Sequence, residues 1–188
     1  MTREEALEQR HYNMSRIRAK DTKPEMTVRR YLWKHGYRYR LNYRRLPGKP
    51  DIVLRKYKSC IFINGCFWHG HNLRYDNETL RYDDFPLSSE CCKIPRTNRD
   101  YWGKKIMRNQ ERDAEVKQKL SKMGWNSITI WECELKPSKR EATLTSLLLT
   151  LSKILLHTAQ NPKYDLEEDA PSRLVADETD FEYNKQEL

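Results

Sequence analysis

The sequence predicts a mixed α/β or α+β domain, and three observations carry that prediction. Two apolar, β-branched runs at residues 51–54 and 59–63 are joined by the polar Arg55-Lys-Tyr-Lys58 and read as a hairpin. A third run, residues 125–131, alternates polar and apolar side chains as a half-buried strand does. Segments with helical start and stop signals precede and follow these strands. A chain of 188 residues has room for one domain with a true core and additional arms.

The elements follow in order. Residues 1–22 are polar and rich in arginine, including Arg16, Arg18 and Lys20, and read as a basic arm that an anionic partner would order. Asp21-Thr22-Lys23-Pro24-Glu25 is a helix start, because Thr22 or Asp21 can cap, proline suits an early helical position and an acid favours the dipole. That helix should run to about His35 and stop at Gly36. Residues 37–43 alternate and suggest a strand, and Pro47-Gly-Lys-Pro50 is a turn that leads into the hairpin. Residues 72–99, with Pro86, Ser88, Ser89 and Pro95, read as a long irregular loop. Residues 102–123 form a charged helix with Ile106, Val116, Leu120 and Met123 on its buried face, stopped at Gly124. Residues 140–156 are a strongly apolar last helix. These elements set the domain at 23–157, between the arm and an acidic, disordered tail at 158–188.

Charge is spread unevenly. Residues 1–60 hold 17 Lys/Arg against 6 Asp/Glu, while residues 161–188 hold 3 against 9, so a basic body carries an acidic tail. Such a body is an electrostatic footprint for nucleic acid. No run approaches the roughly 18–20 apolar residues of a membrane span, and no signal-like segment opens the chain. Five cysteines in a chain of this kind point to a reducing, cytoplasmic setting, where cysteine beside histidine more often means metal than disulfide.

The chemistry-bearing residues crowd into residues 47–71. Cys66, His71 and Cys133, with one of Cys91 or Cys92, can close a four-coordinate Cys3His site from three separated segments, a recognised zinc composition. Spacing does not choose between Cys91 and Cys92, with Cys91 preferred. The plainer alternative is that Cys66 and Cys133 are small buried hydrophobes, as Cys60 should be. Asp51 at a strand start and the Ile63 carbonyl on the neighbouring strand are two oxygens that suit Mg2+. His69 can accept a proton near neutral pH, and Glu25 can orient water or a histidine. Taken singly, Asp51 is an ordinary turn residue and Glu25 an ordinary helix-start acid; their convergence is what matters. Phe67, Trp68 and Trp102 adjoin expected loops and suit wedging between bases, whereas Trp33, Trp125 and Trp131 suit the core.

At these residues the chain resembles the very short patch repair (Vsr) mismatch endonucleases. The matching pieces are Asn13-Met14, Asp21-Thr22, Glu25, Leu46-Pro-Gly-Lys-Pro-Asp51, Gly65-Cys-Phe-Trp-His69-Gly-His71, Pro95-Arg-Thr-Asn98, Tyr101-Trp102, Lys105-Ile106, Asn109, Arg112-Asp113, Gly124-Trp125 and Trp131-Glu-Cys133-Glu-Leu135. The resemblance implies a restriction-endonuclease-like fold with a central mixed sheet flanked by helices and a structural zinc site. It implies a Mg2+-dependent nick beside the thymine of a T·G mismatch left by 5-methylcytosine deamination. By resemblance, Asp51 and the Ile63 carbonyl hold Mg2+, His69 is the general base and Glu25 its supporting carboxylate. Cys66, His71 and Cys133 ligate zinc. Phe67, Trp68 and Trp102 intercalate, with Arg16, Arg18, Lys20, Lys49, Lys105 and Asn109 also at the DNA.

The implied setting is a monomer in the bacterial cytoplasm, with mismatched double-stranded DNA, mismatch-repair proteins and a repair polymerase as partners. Three departures stand out. Asn64 replaces a histidine frequent in the family and cannot act as a general acid, Ile63 replaces a hydroxyl residue, and the loop after His71 is longer. Two rival functions remain: a nuclease of this fold acting on other mismatched, branched or foreign DNA, and a non-cutting zinc protein that binds distorted DNA.

Overall fold

The computed structural model describes residues 4, 5, 8, 9, 12, 20–73, 91–95 and 98–160. Arg16 and Arg18, most of the expected loop at 72–99 and the acidic tail from residue 161 lie outside the described residues.

Helix α1, Lys23–Lys34, begins as its sequence dictates: Thr22 is extended, and its Oγ1 accepts the Glu25 backbone N–H. The helix ends at His35, and Gly36 then takes φ +82°, a conformation that costs glycine little. The sheet is four-stranded and mixed, in the order β1-β2-β3-β4. β1 (Arg40–Leu41) and β2 (Ile52–Leu54) are antiparallel, as are β2 and β3 (Ser59–Asn64). β3 runs parallel to β4 (Asn126–Trp131), over a crossover that contains α2 (Arg99–Lys122). The last helix is α3, Pro137–Gln160.

Three local expectations need correction. The strand expected at 37–43 shrinks to two residues, because β2 offers only three residues to pair with and Asn42 turns away at φ +47°. Helix α2 starts at Arg99 rather than 102, and α3 spans Pro137–Gln160 rather than 140–156; polar flanking turns are helical although they bury little. Met123 caps α2 and is 51% exposed, not on its buried face.

Each strand sends alternate residues to opposite faces. Ile52, Leu54, Ile61 and Ile130 pack under α1 and α3 with Val28, Leu32, Leu144, Leu147 and Leu151. Val53 and Cys60 face α2, meeting Leu120 and the partly buried Phe62, Val116 and Trp125. Cys60 behaves as the buried hydrophobe the sequence suggested, and burial pushes its thiol up to about 12. Trp33 and Trp131 are half-buried rather than core residues. Trp33 lies under the Arg38 guanidinium at 3.9 Å.

Leu151 is fully buried on the face that docks α3. Leu151→Ala should therefore lower unfolding free energy by about 2–5 kcal/mol, read from urea denaturation. A loss below about 1 kcal/mol would show that α3 contributes little to the core.

Candidate active site and metal centre

The parallel pairing of β3 with β4 sets Asn64 opposite Trp131 at the sheet edge. Two residues beyond each partner stand Cys66 and Cys133, so the ladder that aligns the strands also brings the two thiols together. After Asn64 the chain folds on itself: the His71 N–H donates to the Cys66 carbonyl at 2.9 Å and the His69 N–H to Gly65 at 3.2 Å. That turn closes the five-residue gap between Cys66 and His71. Gly70 is required in it, since its φ is +60° and a Cβ would lie 2.5 Å from Ile106 Cγ2 and 2.6 Å from Gln110 Nε2.

Cys66, His71, Cys91 and Cys133 place one donor atom each within 4.8 Å of one another. Around His71 Nδ1 the sulfurs of Cys91, Cys133 and Cys66 stand at 3.2, 3.3 and 3.8 Å. A tetrahedron with ordinary Zn–S and Zn–N bonds has nitrogen–sulfur edges of roughly 3.5 Å, so the donor set fits a metal of that size. Burial pushes the Cys66 thiol up to about 12, raises Cys133 and lowers His71. The imidazole is thereby kept in the neutral form that ligates. The thiols resist ionisation until a cation supplies the compensating charge. His71 also stacks on Trp131, with centroids 4.1 Å apart and planes at 14°. Cys92, the other candidate from sequence, is not in this group; it is fully buried beside Leu73 and Ile106, and its Sγ donates to the Phe67 carbonyl at 3.9 Å.

On the α2 side of the sheet, Asp51, Ile63, Asn64 and His69 line one cavity of about 470 Å³, together with Lys49, Arg112, Asp113 and Lys117. Asp51 Oδ2 accepts the Ile63 N–H at 2.7 Å. In an extended strand a residue's N–H and C=O point to the same side, so the Ile63 carbonyl also faces Asp51. Burial raises the Asp51 carboxyl above its usual 3.8, the Ile63 hydrogen bond opposes that shift, and the Glu25 charge reinforces it. These oxygens suit a divalent cation: a half-buried carboxylate near a second negative charge, with a carbonyl aimed at the same space.

The structure gives His69 a partner the sequence reading did not assign. Its Nδ1 lies 2.5 Å from Asp113 Oδ2. An ionised carboxylate can only accept, so Nδ1 carries the proton and Nε2 is left as the basic nitrogen. Glu25, expected as the carboxylate supporting His69, is engaged in the α1 cap: its Oε2 accepts the Asp21 N–H at 2.9 Å and its Oε1 the Thr22 hydroxyl at 3.0 Å. A signal for Asp113 was present in the sequence. It falls on the helical stripe that runs through Ile106, Gln110 and Val116, where an acid needs a partner.

The aromatic residues converge as well. Phe67 lies 5.2 Å from Trp68 and 5.1 Å from Trp102 between ring centroids, and Trp68 lies 6.0 Å from Trp102, all edge-to-face. All three are half-buried, and the exposed Tyr101 packs on Trp102 at 5.2 Å. Helix α2 holds this loop from below. Asn109 Nδ2 donates to the Trp68 carbonyl at 2.7 Å, and Gln110 Nε2 donates to the carbonyls of His69 at 3.2 Å and Gly70 at 2.9 Å. The Asn109 amide, expected at DNA, thus commits one of its two N–H donors to the loop. Lys20 and Lys105 are exposed, and Lys105 lies over the Tyr101 ring at 5.8 Å.

The relatives of this chain define its class, an endonuclease acting on DNA, and a basic body with an acid, a strand carbonyl and a carboxylate-held histidine in one cavity agrees with it. Residues 5–75 match the family model described as DNA mismatch endonuclease Vsr. The chain is 44% identical over 127 residues to the type II nicking enzyme V.NmeAIP of Neisseria meningitidis, covering 68% of this chain and 79% of that protein. It is 37% identical over 149 residues to the type II nicking enzyme V.XorIIP of Xanthomonas oryzae, covering 79% and 98%. To the DNA mismatch endonuclease Vsr of Escherichia coli it is 33% identical over 127 residues, covering 68% and 71%. The chain belongs to the Vsr family of DNA mismatch endonucleases, a membership that implies the restriction-endonuclease-like fold. No helix among the described residues is long and apolar enough to cross a membrane.

The donor geometry separates the two adjacent cysteines. Cys91→Ser and Cys133→Ser should each lose bound metal on elemental analysis, while Cys92→Ser keeps it. Equal metal content in all three variants would break the ligand set.

Proposed function

We propose that this endonuclease nicks one strand of duplex DNA beside the thymine of a T·G mismatch, with Mg2+ in the Asp51 cavity and Zn2+ among Cys66, His71, Cys91 and Cys133. The observation that carries the reading is the joint placement of Asp51, Ile63 and His69 in one cavity, with His69 directly following Phe67 and Trp68, whose rings meet Trp102 of α2. The names of its relatives, which include a mismatch endonuclease and nicking enzymes, point the same way.

The aromatic group enters the base stack beside the mispair, where opening a step costs least. Mg2+ held by Asp51 and the Ile63 carbonyl would polarise the scissile phosphate and neutralise charge that develops on it. His69 takes a proton through Nε2 from the attacking water, while Asp113 fixes the tautomer and stabilises the imidazolium. Lys49, Arg112 and Lys117 line the same cavity and draw in the phosphodiester. Asn64 has no titratable proton, so the leaving 3′ oxygen is protonated from solvent. Cys66, His71, Cys91 and Cys133 form a closed four-donor set, and Zn2+ there would tie residue 91 to the two strand ends.

A library of T·G duplexes with randomised neighbours, incubated with and without Mg2+, tests the specificity. Nicking beside the thymine only when Mg2+ is present is expected; equal cutting of perfectly paired DNA would sink the mismatch reading. His69→Ala should lower the nicking rate by about 10²–10⁴-fold, and Asp113→Asn by a smaller factor at unchanged DNA affinity.

Asp51 gives a further test in which activity and stability move in opposite directions. Its folded pKa is raised, so the folded chain holds the proton more tightly than the unfolded chain does. The resulting stabilisation is present below 3.8 and is lost as pH rises through the raised value. At neutral pH the ionised group therefore opposes folding. Asp51→Asn should raise the melting temperature in chelator while abolishing nicking, and a lowered melting temperature would contradict this account.

A further inference from the structure

A second cavity, of about 540 Å³, is lined in part by Phe67 of the aromatic group. Its lining includes Lys23 at the start of α1, Lys93, and Lys136 and Arg140 at the start of α3, with Glu132 the one acid, and it is shared with three of the metal-donor candidates, Cys66, Cys91 and Cys133. The four cations are exposed and take part in no ion pair among the described residues. Arg140 Nε donates to the Leu135 carbonyl at 3.1 Å, which fixes the guanidinium base and leaves its outer nitrogens for another acceptor. Four like charges around one concavity repel one another, and nothing in the core requires them there.

Phe67 lines this cavity, whereas His69, two residues on, lines the catalytic one. The short turn that carries Phe67, Trp68 and His69 therefore contributes to two cavities with several cations each. Any protein element that enters a duplex through a groove has the sugar-phosphate backbone of one strand on each side of it. Given the reading that duplex DNA is opened at Phe67 and Trp68, on which this inference rests, the two cavities receive opposite strands. We propose that the cavity formed by Lys23, Lys93, Lys136 and Arg140 binds a backbone phosphate of the strand that is not cut. It grips that strand while the Asp51 cavity acts on the other, and it has no carboxylate and histidine pair with which to cleave. Cleavage of one strand only then follows from the site itself.

The test uses the Lys136→Ala/Arg140→Ala double variant, which leaves the catalytic and metal-donor residues intact, and a T·G duplex with single neutral methylphosphonates placed along each strand. Wild-type binding should weaken when one particular phosphate of the uncut strand is neutralised, and the double variant should be blind to that replacement. The variant should bind unmodified duplex about 3- to 10-fold more weakly, with the slope of log affinity against log salt shallower by about one to two. Its nicking rate at saturating DNA and its metal content should equal those of wild type. Should the double variant fold poorly, Lys23→Ala/Lys93→Ala makes the same measurement from the opposite wall. An unchanged salt slope, or sensitivity confined to phosphates of the cut strand, overturns the proposal while leaving the nuclease reading intact. A wild-type protein that binds no duplex overturns both.

Discussion

Everything chemical in this molecule hangs on one ladder, the parallel pairing of β3 with β4. Parallel strands end side by side, so whatever follows each strand is delivered to the same edge of the sheet. Here one strand is followed by the turn that carries Cys66, Phe67, Trp68, His69 and His71, and the other by Cys133. A slip of one residue in that register would turn every side chain of the moved strand to the opposite face. The metal donors, the wedge and the histidine would then no longer share an edge. The six-residue register therefore matters more to function than any single side chain in it.

Helix α2 is the second constraint, and it acts on the loop rather than on the sheet. Within two turns it supplies Asn109 to the Trp68 carbonyl, Gln110 to the carbonyls of His69 and Gly70, and Asp113 to the His69 ring. A loop with few apolar residues of its own is held by hydrogen bonds to a rigid element, which fixes side-chain positions better than a free loop does. Trp102 belongs to the same helix, so the aromatic group and the His69 ring share one rigid support. A force on the aromatic group would therefore be felt by the same helix that orients His69.

The sequence made the helix limits at Thr22 and Gly36, the hairpin, β4 and the position of Cys60 readable, because capping residues, turn residues and strict alternation are local signals. It overestimated β1, since strand length depends on how much partner is available, and no residue in 37–43 reports that. The four metal donors could be gathered by composition, yet choosing Cys91 over Cys92 needed coordinates: neighbours in a chain point different ways, and here one joins the donors while the other enters the core. Glu25 shows the same limit of local signals, since the sequence offers it both as a helix-start acid and as a carboxylate near the Asp51 cavity. A carboxylate three residues after Thr22 satisfies a helix start and can still be felt by Asp51. Asp113, by contrast, was legible as an acid on an apolar stripe and went unassigned.

The two metal-capable sites illustrate how burial sorts ionisable groups into different jobs. At both, desolvation pushes acids toward their neutral forms: the thiol of Cys66 to about 12, and the carboxyl of Asp51 above its usual value. Such crowding is unfavourable for the bare chain, and a divalent cation relieves it at either place. What differs is closure. His71 Nδ1 and the three sulfurs around it make four donors, enough to fill a tetrahedral shell with no position left for substrate, which is the pattern of a structural centre. At the other site Asp51 and the Ile63 carbonyl face an open cavity lined by lysine and arginine, and a cation held there by so few protein oxygens would keep most of its shell for water and phosphate. The same strand, β3, feeds both sites, and they differ in how many donors the chain brings to each: a closed set of four at one, an open cavity at the other.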